Sequence, residues 1–141
     1  MLVRSEWPRV SEDPFILLNP PHLATYVNIK NLSGSDVALQ DIQTHLFKSW
    51  SAGNLKPGFD IHLTGTTAWF SGEDISFNLG GNQINVDNPP YASTYVKVNG
   101  EKYTDSTGIF RVGNLSLRLT FKGSYEPLVK TGQKQWQIDI L

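Results

Sequence analysis

The segment "GNLSLRLTFKG", residues 113–123, sets apolar and polar side chains in strict alternation. Leu115, Leu117, Leu119 and Phe121 fall on one side; Ser116, Arg118, Thr120 and Lys122 fall on the other. Successive side chains of a strand point to opposite faces, so this pattern describes a strand with one face on a core and one toward solvent. A helix would scatter the same leucines around its circumference. The pattern recurs along the chain. "TYVNIKN" places Val27 and Ile29 together, and "FDIHLTG" does so with Phe59, Ile61 and Leu63. "DISFNL" aligns Ile75, Phe77 and Leu79, and "QWQIDIL" aligns Trp136, Ile138 and Ile140. In "VALQDIQTHLF", Val37 and Leu39 are in phase, but Gln40-Asp41 breaks the alternation before Ile42, which predicts a bulge or a short helical turn.

Turn signals separate these runs. In "TYVKVNGEKYT", Asn99-Gly100 interrupts an alternation carried by Val96 and Val98. Both residues accept positive φ, so the spacing predicts a type I′ hairpin. "SGSD" at 33–36, "AGNLKPG" at 52–58, "GGN" at 80–82 and "DNPPYAS" at 87–93 read as turns or loops. About nine strands at spacings of roughly 8–12 residues predict an all-β fold, an antiparallel two-sheet sandwich of immunoglobulin-like or jelly-roll type. No internal repeat or low-complexity tract occurs.

The chain has 141 residues, a natural size for one domain, and it has no cysteine. A disulfide framework and a cysteine zinc site are therefore excluded. The formal net charge is −1 and the cations are scattered, which argues against a nucleic-acid surface. Charged residues make up 18% against about 25% in ordinary soluble proteins; Asn, Ser, Thr and Gly take their places. No apolar run reaches a membrane span, and the first residues lack the apolar core of a signal peptide.

Residues 1–22 read as an N-terminal arm and 23–141 as a single β-sandwich domain. The arm carries Trp7 and the run Phe15, Ile16, Leu17, Leu18 between prolines. Such a segment has to bury its apolar side chains, and Trp7, Phe15 and Leu17 are the expected contacts with a partner subunit.

Catalytic and metal signatures are absent from the spacing. His22, His45 and His62 form no HxH or HxxxH pair, and His62, between Ile61 and Leu63, is expected to point outward beside Asp60. No G-x-S-x-G elbow or phosphate-binding glycine loop is present. Glu73 and Asp74 are adjacent, and neighbours on a strand leave opposite faces. Asp87 and Asp105 read as loop carboxylates without an EF-hand pattern. Among the aromatic residues, Trp136 reads as core, whereas Trp50, Trp69 and Tyr91 are candidates for ligand binding, because aromatic side chains on loops of a rigid sandwich stack on sugars or anchor proteins.

The stretch "YVNIKNLSGSDVALQDI", residues 26–42, resembles the strand–turn–strand of immunoglobulin-like modules, cellulose-binding ones among them. It shows a strand ending in Asn, a Ser/Gly turn and an apolar strand. The evenly spaced surface tryptophans of those modules do not occur in the rest of the chain.

The sequence thus leads to a non-enzymatic structural subunit with no cofactor or metal. The expected setting is a virus or phage particle, as a capsid, decoration or tail protein found in the virion or in the cytoplasm before assembly. Its expected partners are other protein subunits in a homo-oligomer or larger particle, not nucleic acid or membrane. The alternative expectation is a carbohydrate-binding module or lectin-like domain with a glycan on Trp50, Trp69 or Tyr91.

Overall fold

A computed structural model describes residues 24–44, 47–66, 75–88, 94–122 and 133–141. Two sheets face each other across one apolar core. The first has five strands: β1 (Ala24–Asn31), β5 (Asp60–Thr66), β10 (Ile109–Val112), β11 (Leu115–Phe121) and β12 (Gln133–Ile140), in the order β10-β11-β12-β1-β5. The second has β2 (Val37–Thr44), β3 (Phe47–Trp50), β6 (Ile75–Leu79), β7 (Asn82–Asp87), β8 (Tyr95–Val98) and β9 (Glu101–Tyr103), in the order β3-β2-β6-β7-β8-β9. The short β4 (Gly53–Leu55) also pairs with β2. The all-β sandwich read from the alternation is the observed architecture.

Twelve strands are found among the described residues, more than the alternation announces, because several have only three or four residues. β4 lies inside the stretch read as a loop; three residues are too few for a period to register. One pair also departs from an antiparallel arrangement: β1 and β12 run parallel, with Val27 opposite Trp136 and Ile29 opposite Ile138.

Inward-facing residues of both sheets fill the core. Val27, Ile29, Leu117, Leu119, Trp136 and Ile138 are buried on the first sheet; Leu39, Ile42, Phe77, Leu79, Ile84 and Val86 are buried on the second. Phe59 does not join them. It precedes β5 and remains 41% exposed at the end of the sandwich. Trp136 does more than fill space. Its indole Nε1–H donates to Thr94 Oγ1 at 3.1 Å, and that hydroxyl donates to the Asp87 carbonyl at 2.7 Å. The ring's one polar atom is thereby satisfied across the two sheets.

The β2 irregularity is a bulge. Asp41 takes φ 54°, and the register with β6 shifts between Gln40 and Gln43. The extra residue reverses the phase, so Leu39 before it and Ile42 after it both face inward. Asn31, fully buried at the end of β1, pins the following turn. Its Oδ1 accepts from Ser33 N at 3.0 Å, and its Nδ2 donates to the Ser35 and Leu55 carbonyls, both at 2.8 Å.

Asn99 and Gly100 have φ of 50° and 88°, the two positive values of a type I′ turn, and join β8 to β9 as the dipeptide predicts. A side chain added at Gly100 meets nothing within 4 Å. Gly100→Ala therefore isolates the cost of left-handed backbone. Urea denaturation is expected to show a loss of about 1–2 kcal/mol for Gly100→Ala and less for Gly100→Asn, since Asn tolerates that region. In the core, Leu119→Ala is expected to cost about 2–5 kcal/mol by the same measurement.

Candidate functional site

The outer face of the five-stranded sheet carries polar side chains, and strand register sorts them into rows. Thr120, Gln137, Asn28 and His62 are successive partners across β11, β12, β1 and β5. Arg118, Asp139, Lys30 and Asp60 form the neighbouring row, with alternating charge. Opposite charges in directly opposed positions favour this register. Ile109 of β10 extends the second row beyond Arg118.

These side chains are linked. Arg118 Nη2 donates to Asp139 Oδ2 at 3.0 Å. Gln137 Nε2 donates to Asp139 Oδ1 at 2.9 Å. With the Asn28 amide oriented to satisfy both of its ends, its oxygen accepts from Gln137 Nε2 at 3.1 Å, and its nitrogen donates to Asp60 Oδ2 at 3.2 Å and the Ile61 carbonyl at 3.0 Å. His62 Nε2 lies 3.8 Å from Asp60 Oδ2. The network runs from Arg118 to His62 across four strands.

The network faces outward, yet its middle is closed to solvent. Asn28, Asp60 and Asp139 are buried, and Tyr26 on the same face is fully buried. His62 corrects the expectation of a solvent-facing histidine: it points outward beside Asp60, but its side chain is only 8% exposed. Arg118 also differs from a plain solvated residue, since its half-buried guanidinium neutralises a carboxylate 10% exposed. Among the described residues, no three His, Asp or Glu side chains gather in a way that could hold a metal ion. Asp87 ends β7 as a buried residue, while Asp105 lies exposed in a bend.

A second feature lies along one side of the sandwich, where β9 and β10 are the outermost strands of their respective sheets. Tyr103 of β9 stacks on Phe110 of β10, ring centroids 5.0 Å apart, and so joins the two sheets at that side. The Tyr103 hydroxyl donates to Glu101 Oε2 at 2.7 Å. This bond, ahead of burial and the charge of the carboxylate, holds the phenol above its ordinary pKa. Ile109, beside them on β10, is 63% exposed.

Of the residues singled out in the sequence, Trp50 is the last residue of β3 and the register partner of Ile42. Trp69, Tyr91, Trp7, Phe15 and Leu17 lie outside the described residues. The Arg118–His62 network and the Ile109 edge escaped the sequence reading. The polar positions were visible as alternate residues of single strands, but which of them share a row depends on register. The chain matches no known family model, and no curated relative matches it.

The network predicts a measurable coupling. Arg118→Ala leaves the buried Asp139 carboxylate without its cation and is expected to destabilise the fold by about 1–3 kcal/mol in urea titrations. In an Asp139→Asn background the same change is expected to cost less.

Proposed function

We propose that this chain is a non-enzymatic structural subunit of a protein assembly, of the kind that builds a virus or phage particle. One observation carries the reading: β10 is an edge strand with a large apolar side chain, Ile109, 63% exposed on it, next to the edge strand β9. An edge strand offers backbone N–H and C=O groups to another chain, and monomeric proteins commonly blunt such edges with charge or proline. Here Arg111 is the only charged residue in the four-residue edge, and proline is absent from it. Strand addition at β10 would satisfy the backbone and cover Ile109 together.

Other features support the same reading. Leu32 and Phe59 are 46% and 41% exposed at one end of the sandwich, where Asn31 N donates to the Phe59 carbonyl. The low charge and the Ser/Thr/Asn-rich polar positions suit a surface that meets copies of itself. The arm at 1–22, with Trp7, Phe15 and Leu17, supplies the second contact in this reading.

Sedimentation velocity tests it. The full chain is expected to associate at micromolar concentration, and Ile109→Lys is expected to shift it toward monomer without lowering its melting temperature. A wild-type chain that stays monomeric across that range, or an Ile109→Lys variant that associates equally well, overturns the proposal.

A further inference from the structure

The outer face of the seven-stranded sheet is built largely from carboxamides. Across β2, β6, β7, β8 and β9, the register aligns Gln43, Ser76, Asn85, Lys97 and Lys102 in one row. Gln40, Asn78 and Gln83 form the next. Asn78 is engaged locally, its Oδ1 accepting from Gly81 N at 2.9 Å. Gln40, Gln43, Gln83 and Asn85 are different: among the described residues, their side chains make no hydrogen bond within the chain. Gln40, Gln43 and Gln83 are exposed, and Asn85 is half-buried. Each amide offers an acceptor oxygen and two donor hydrogens.

Asparagine is depleted in strands, and nothing in the packing of this face calls for amides rather than threonine or charged residues. The same two rows hold no carboxylate. At their far end, Lys97 and Lys102 are directly opposed across β8 and β9. Like charges in that position repel. Both ammonium groups approach the Tyr95 ring, Lys102 Nζ at 4.3 Å from its centroid and Lys97 Nζ at 5.6 Å. The ring's negative face offsets part of the repulsion, but the row keeps two positive charges.

We propose that this face binds an extended acidic polysaccharide. Vicinal hydroxyls donate and accept in pairs, which is the chemistry a carboxamide matches. A uronate carboxylate or a sulfate supplies the negative charge that the Lys97–Lys102 end lacks. Neighbouring strands are about 4.8 Å apart, so side chains along the first row repeat at roughly the length of one sugar ring, and five strands give a track of about 19 Å. Two lysines are too few for a surface that follows nucleic-acid phosphates, which releases a counterion at each contact. The site is distinct from Trp50, Trp69 and Tyr91 and does not depend on the assembly reading.

The test uses the full chain on an array of uronate-bearing, sulfated and neutral oligosaccharides, followed by calorimetry with polygalacturonate and chondroitin sulfate oligomers. Binding to an acidic series is expected, weakening as salt rises. The pair Gln43→Ala/Asn85→Ala and the single change Lys102→Glu are each expected to lower affinity at least about tenfold (about 1.4 kcal/mol) with an unchanged melting temperature. Gln40→Ala/Gln83→Ala serves as a second amide variant should the first lose stability. Carboxyl-reduced oligomers are expected to lose binding comparably. The proposal is overturned by the absence of binding to any acidic oligosaccharide at millimolar concentration. It is equally overturned by neutral sugars binding as well, by affinity that these variants leave unchanged while Trp50→Ala abolishes it, or by variants that abolish only self-association.

Discussion

The parallel pairing of β1 with β12 is the constraint on which the first sheet depends. It joins Ala24–Asn31 to Gln133–Ile140 over almost the whole described chain. A one-residue slip would turn every side chain of a strand to the opposite face. In the observed register, Val27 and Ile29 lie beside Trp136 and Ile138 on the core side, and Asn28 and Lys30 lie beside Gln137 and Asp139 on the other. Core and polar network are two sides of one register. Loop closure over such a separation costs entropy before any contact repays it, so the pairing needs both faces to be favourable.

The polar face of that sheet makes demands of its own. A buried carboxylate is tolerated when it is paired and hydrogen-bonded. Asp139 has Arg118 and Gln137; Asp60 has the Asn28 amide and the nearby His62 ring. Removing one member would leave another partly unsatisfied, so the row specifies register more than it adds stability. The two sheets are held to each other by contacts of a different kind. Trp136 reaches Thr94, Asn31 reaches the Leu55 carbonyl, and Tyr103 stacks on Phe110. Each is specific in direction, unlike the apolar contacts between them.

The surfaces proposed for function lie on opposite parts of this frame. The β10 edge is short and carries an exposed isoleucine, so it suits a backbone-driven contact between chains. The carboxamide rows are flat and polar, so they suit a ligand that is itself hydrogen-bonding along its length. An assembly subunit that displays a glycan-binding face needs both, and neither surface obstructs the other in this topology.

Local chemistry alone determined much of this protein. The alternation in 115–121 announced β11, Asn99-Gly100 announced its turn, and Gln40-Asp41 announced the bulge, because each rests on the conformational preferences of a few adjacent residues. Short strands such as β4 were illegible, since three residues carry no period. The site was legible in parts only. Lys97, Asn85 and Gln43 were each readable as outward positions, but nothing local says that they share a row. The exposure of Ile109 and the closure of His62 were equally hidden, because burial depends on which strands become neighbours. Fold class was thus written in residue periodicity, while the rows, the edges and the buried polar network were decided by strand register and sheet order, which arise only from contacts between residues distant in the chain.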